Sequence, residues 1–212
     1  MIPYEAVAPD ARTVAGRALI LHYEIERIVF TSMSGLMSLF APFAAGDEMK
    51  EFSSGMTELG AVTIDLLKSL GLWRALTPRE RRIFESGADD LSPEDQRMAR
   101  QEADALVALL WALGRLADLP ESDDEAEGSL LMDAIGAREN EAPAIEAFLE
   151  EATLRPEWEI AAARDALAAR LRTTPPGHAA AATVLTTRLK ALDWICGSLA
   201  LSEWDSAAPT EL

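Results

Sequence analysis

Four residues could combine into a site with chemistry: Asp104, Trp111, Arg188 and Trp194. Asp104 and Trp111 lie seven residues apart and so fall on nearly one line of a helix, while Arg188 and Trp194 belong to a second helix near the end of the chain. If those helices pack together, a guanidinium flanked by two indoles and one carboxylate could receive an anion or a small molecule. The same residues also admit a structural reading, in which Arg188 pairs with Asp104 and the tryptophans fill volume, and core roles are the default for such stripes. A second cluster, Glu121, Asp123, Asp124, Glu125 and Glu127, offers charge without apolar spacing and suits docking of a basic protein.

Other reactive side chains lack company. His22 and His178 have no His-x-x-x-His or carboxylate spacing around them, so no metal site is expected, and no cofactor motif is present. Cys196 sits on an apolar stripe as a buried, inert thiol, and one cysteine cannot form an intramolecular disulfide. Glu24 with Glu26, and Glu150 with Glu151, face different sides of a helix and read as solvated charges. No Gly-rich phosphate loop or Gly-x-Ser-x-Gly elbow occurs, and the chain reads as non-catalytic.

The elements that would position these groups are helices. Ala105 to Gly114 lies in the middle of a long predicted helix, about 92–118, whose apolar residues leave almost no wet face. Such a helix must be surrounded, because buried apolar area is worth roughly 25 cal/mol per Å². Ser92, Pro93, Glu94 and Asp95 write its start, and Pro120 marks its close. Earlier, Ala11 to Thr31 carries the stripe Val14, Ala18, Leu21, Ile25 and Ile28. A helix from Asp47 to Leu70 should stop at Gly71, and Thr77-Pro78-Arg79-Glu80 is a capping box. Further helices are expected at Leu130 to Ile135, Pro143 to Ala152, from Pro156 to Thr173, and Ala180 to Gly197. With no persuasive period-two alternation, the fold class is all-α, an irregular multi-helix bundle around a buried central helix.

Composition sets the surroundings. The chain has 212 residues, 49% of them hydrophobic, enough for one substantial core. An irregular arm at 1–9, a single all-α domain at 10–205 with an acidic loop at 119–128, and a tail at 206–212 are expected. Acids outnumber bases by 36 to 19, a formal net charge of -17 that repels phosphate backbones, and no basic cluster in the sequence offsets it. Nucleic acid is therefore disfavoured and not expected as a partner. Ile28 to Gly46 is uncharged and about as long as a membrane span, but Thr31, Ser32, Ser34, Gly35, Ser38 and Pro42 interrupt it, so no membrane insertion is expected. The lone cysteine fits a reducing compartment, a cytoplasmic setting is expected, and self-association is left open.

Leu109-Leu110-Trp111-Ala112-Leu113-Gly114 followed by Asp118-Leu119-Pro120 resembles the signature of the bacterial family called domain of unknown function 4272. Arg17-Ala18-Leu19-Ile20-Leu21, Leu76-Thr77-Pro78-Arg79-Glu80-Arg81, Arg188-Leu189-Lys190-Ala191-Leu192-Asp193-Trp194 and Glu203-Trp204-Asp205 are similar to its other blocks, in the same order. Gln101-Glu102 stands where the family often has Trp-Arg, Asp104 replaces a Glu and Asp193 an Asn. The helix from Pro156 also lacks the family's His-Trp pair. The resemblance implies an α-helical bacterial protein and brings no reaction with it. The reading that results is a non-catalytic protein-interaction module, an acidic immunity-type binder of a basic protein. Its alternative is a small-anion or small-molecule binder, with or without catalysis, using the pocket at Arg188.

Overall fold

The computed structural model describes residues 7–40, 60–86, 91–120, 134–135 and 142–205, with side chains left aside over 32–40. Among them the regular elements are all helical: α1 (Ala11–Phe40), α2 (60–69), α3 (Pro78–Glu85), α4 (Pro93–Ala112), α5 (Ala142–Glu150), α6 (Glu157–Thr173) and α7 (Ala179–Ile195). Short 3-10 turns occupy Leu72–Ala75 and Leu201–Glu203. The fold class is all-α. The chain divides into two compact units, one made of Met1–Leu19 with Gln101–Leu212 and the other of Ile20–Arg100. Both α1 and α4 run from one unit into the other.

The discontinuous unit is built on the apolar half of α4. Ala105, Leu106, Val107, Ala108, Leu109, Leu110, Trp111 and Ala112 are all buried, Trp111 at 5% being the most exposed of them. A helix without a wet face has thus been enclosed, as its sequence requires. From α1, Val14, Ala15, Ala18 and Leu19 are wholly buried, and Asp10 begins that helix by accepting the Thr13 amide at 2.7 Å. Hydrogen bonds from the Thr13 side chain and amide hold the Asp10 carboxyl below its ordinary range. Helices α6 and α7 pack against each other.

The central helix is shorter than the sequence pattern about 92–118 implies. It stops at Ala112, because Gly114 adopts φ 68 and turns the chain out of the helix. The Gly114 amide donates to the Trp111 carbonyl and the Arg115 amide to the Leu110 carbonyl, each at 2.9 Å. This is the paired closure of a Schellman motif, which glycine permits without steric penalty. Leu113 and Leu116 are buried beyond the helix end, so they continue the apolar stripe without continuing the helix.

The continuous unit is organised by local caps. Thr77 accepts the Glu80 amide at 3.3 Å while the Glu80 carboxylate accepts the Thr77 amide at 2.8 Å, the capping box written in the sequence. Ser92 and Asp95 repeat the device at the start of α4, with reciprocal bonds of 3.1 Å. Asp95 also receives both terminal nitrogens of Arg82, at 3.0 and 2.6 Å, and these bonds with those of Ser92 hold its carboxyl far below the usual range. Ile28, Ile83 and Ala99 form a core cluster with Leu91 against it. Arg27 ties α1 to the end of α3 by donating to the carbonyls of Ile83, at 3.0 Å, and Ser86.

Three expectations change. Helix α1 continues past Thr31 to Phe40, since Gly35 alone is too weak a breaker to end a helix already propagating. Glu24 is wholly buried rather than solvated, 2.8 Å from Arg79. Cys196 is half-buried, and burial pushes its thiol above the ordinary range. Residues 134–135 are helical, but the rest of the expected 130–135 helix, residues 47–59 of the second helix, most of the N-terminal arm and the tail from 206 lie outside the described residues. Among the described residues, no helix is long and apolar enough to cross a membrane.

Two consequences can be measured. Gly114→Ala should cost about 1–2 kcal/mol in urea unfolding, because a Cβ there meets open space and the whole penalty is the left-handed backbone. His22 is buried, and desolvation lowers its pKa from 6.5 to about 4. The unfolded chain therefore takes up a proton that the folded chain refuses between those values. Stability is full above pH 6.5 and falls as pH drops toward 4, by about 3 kcal/mol for this group. His22→Gln should remove that part of the slope, read as the difference between the two proteins' unfolding curves from pH 7 to 4.

Candidate functional site

Charged side chains concentrate inside the discontinuous unit, on α4 and α7. Glu102 and Asp104 are two residues apart on α4 and point in different directions, so each meets its own partner. Arg188 on α7 donates to Asp104 Oδ1 from Nε at 3.1 Å and from Nη2 at 2.8 Å. Its Nη1 donates to the Pro120 carbonyl at 2.9 Å. Both side chains are buried, at 1% and 3% exposure, so the pair is shielded from solvent competition.

Glu102 serves a different residue. Its Oε1 accepts the indole Nε1–H of Trp204 at 3.3 Å, and Trp204 is wholly buried. Two cations lie over that indole, the Arg17 guanidinium at 4.4 Å and the Lys190 ammonium at 4.6 Å from the ring centroid. Lys190 also donates to the Trp204 carbonyl at 3.3 Å. Trp194, one helical turn beyond Lys190 on α7, meets Trp204 edge-on at 5.7 Å with the rings 82° apart. The electron-rich indole face thus shares a buried position with two positive charges, an arrangement favoured when those charges are desolvated.

Trp111 has a third set of contacts. The Arg155 guanidinium lies 4.9 Å from its ring centroid and donates to the backbone carbonyls of Trp111 at 2.8 Å, Leu116 at 2.8 Å and Ala117 at 2.7 Å. The Arg155 amide adds a bond to the Ala112 carbonyl at 2.8 Å, and Glu159 steadies the guanidinium at 2.6 Å. The end of α4 and the turn beyond it are held by one arginine that precedes α6.

Of the four residues singled out from sequence, the structure joins Asp104 to Arg188 directly. Trp111 is joined to Arg155, and Trp194 to Trp204. The acidic positions Glu121, Asp123, Asp124, Glu125 and Glu127 lie outside the described residues. Arg17, Glu102, Lys190, Trp204 and Arg155 were not singled out. A charged residue followed four positions later by tryptophan at Lys190 and Trp194 is a weak local signal, whereas nothing near Arg17 in the sequence announces Trp204. Chemically the ensemble fixes helices: the guanidinium of Arg188 is engaged at Nε, Nη1 and Nη2, and His178 lies exposed at the head of α7 without a side-chain capping bond.

Sequence comparison places this all-α chain in a family. The family described as Domain of unknown function (DUF4272) matches residues 3–207, nearly the whole chain, and the protein belongs to that family. Comparison with curated proteins and with solved structures found no match.

The buried ion pair has a measurable signature. Asp104→Leu should destabilise by about 3–5 kcal/mol, since it strands a buried guanidinium, and Arg188→Met should destabilise by stranding the carboxylate, whereas the two changes together should recover much of the loss. Denaturant unfolding of the two single variants and the double variant provides the coupling energy.

Proposed function

We propose that the protein is a non-catalytic interaction module of a bacterial cytosol, which docks a basic protein partner through its acidic exterior, in the manner of an immunity-type binder. The observation that carries this reading is where the charge surplus resides. Among the described residues, eight charged side chains are buried, the acids Glu24, Glu80, Asp95, Glu102 and Asp104 and the bases Arg17, Arg188 and Lys190. Burial thus removes only two from a net charge of -17, and nearly all of the surplus belongs outside the described core.

Such a surface accelerates encounter with a positive partner and discourages negative ones. The occupied guanidinium of Arg188 favours this reading over small-anion capture, because an incoming anion would have to displace Asp104, whose Oδ1 accepts from both Nε and Nη2 in a desolvated pair. The acidic stretch Glu121 to Glu127 is proposed as part of the docking face.

Cross-linking in the native cell followed by purification of the bound protein should yield a basic chain. Its association rate with the purified protein, followed by stopped flow, should fall about tenfold or more between low and high salt. Exchanging Glu121, Asp123, Asp124, Glu125 and Glu127 for their amides should slow association with little effect on stability. Recovery of no basic partner, or an association rate indifferent to salt, would overturn the reading.

A further inference from the structure

Within the continuous unit the surface charge reverses. Lys68, Arg74, Arg79, Arg81 and Arg82 fall within a short stretch of α2, the 3-10 turn and α3, and Lys68, Arg74, Arg81 and Arg82 are exposed. Between Leu66 and Phe84 the one acid is Glu80, which is buried in its capping box. Along the chain Arg79, Arg81 and Arg82 stand together around Glu80, a basic cluster that the net charge of -17 masks. Folding turns Leu67, Leu76, Ile83 and Phe84 inward, pairs Arg79 with the buried Glu24, and leaves Lys68, Arg74, Arg81 and Arg82 outside.

The strip has a groove and an aromatic anchor. A groove of about 690 Å³ runs along one face of α3, lined by Leu76, Pro78, Arg81, Arg82, Glu85 and Ser86. Trp73, half-buried, has the Lys68 ammonium 5.2 Å and the Arg81 guanidinium 5.8 Å from its ring centroid, and Arg81 Nη2 donates to its carbonyl at 3.3 Å. Phe84 backs the indole at 6.4 Å. Arg82 is held in place by Asp95, so its guanidinium enters the groove already oriented.

We propose that this groove receives a short acidic segment of a partner protein, with an apolar side chain of that segment against Leu76 and Pro78 and its carboxylates on Arg81 and Arg82, within the positive field of the exposed Lys68 and Arg74. Charge complementarity selects the occupant. Planar guanidiniums match carboxylates with two parallel bonds, and the mixed apolar and cationic lining suits a peptide that alternates acidic and apolar residues. Glu85 gives the groove direction, since it repels a carboxylate at that end and accepts a backbone amide. A polynucleotide is disfavoured because its long run of phosphates must approach a chain of net charge -17, whereas a few carboxylates on a short segment meet mainly the local field. This site is independent of the acidic docking face, and either can fail without the other.

The test uses the full chain and a short fluorescein-labelled peptide of Asp, Glu and Leu, with fluorescence anisotropy as the readout. The peptide should bind, its Asn, Gln and Leu analogue should not, and Arg74→Glu with Arg81→Glu should weaken binding about tenfold or more without changing the melting temperature. If that pair of changes unfolds the chain, Lys68→Glu with Arg74→Glu should weaken binding in the same direction. Absence of peptide binding, equal binding of the amide analogue, or indifference to the charge reversals would overturn the proposal. So would an oligothymidylate or inorganic phosphate that competes as strongly as the peptide, since the groove would then be a phosphate site.

Discussion

The structure depends on one constraint: a helix apolar all round must be surrounded, and the polar groups carried in with it must then find partners away from water. Ala105 to Ala112 supplies the apolar demand. The polar cost appears at both borders of that stretch. On the N-terminal side Glu102 and Asp104 enter the interior with the helix, and at the other end the helix stops with carbonyls that solvent does not reach. Trp204 and Arg188 meet the first need and Arg155 the second.

Seen this way, the charged residues of the discontinuous unit are consequences of packing rather than the beginnings of a reaction centre. A buried ion pair contributes little net stability compared with an apolar replacement, because two charges must be desolvated. It does discriminate among arrangements, since any register that separates Asp104 from Arg188 leaves both stranded. The indole of Trp204, held by Glu102, Arg17, Lys190 and Trp194, combines direction from its N–H with area from its rings. Together these contacts fix α7 and the 3-10 turn at 201–203 against the helix they enclose.

Local signals were legible in the sequence. Thr77 with Glu80 and Ser92 with Asp95 announce helix starts within four residues, and the structure forms both. Gly71 takes φ 73 at the end of α2, as a stop signal should. Gly114 carried the same signal and was masked by the apolar stripe through Leu113 and Leu116, which burial explains without helix. Glu24 looked like a surface charge because neither neighbour along the chain reveals Arg79. Partners distant in sequence, such as Arg17 with Trp204, leave no periodic trace and emerge only when the fold brings them together.

The two units also differ in how the chain traverses them. One is a single run, Ile20–Arg100, so all its parts leave the ribosome consecutively. The other joins the first turns of α1 to segments made much later, with Arg17 waiting for an indole at position 204. During vectorial synthesis the buried faces of Val14, Ala18 and Leu19 stay uncovered while most of the protein is still being translated. The order of emergence means that this apolar beginning finds its native cover only once the far end of the chain has arrived.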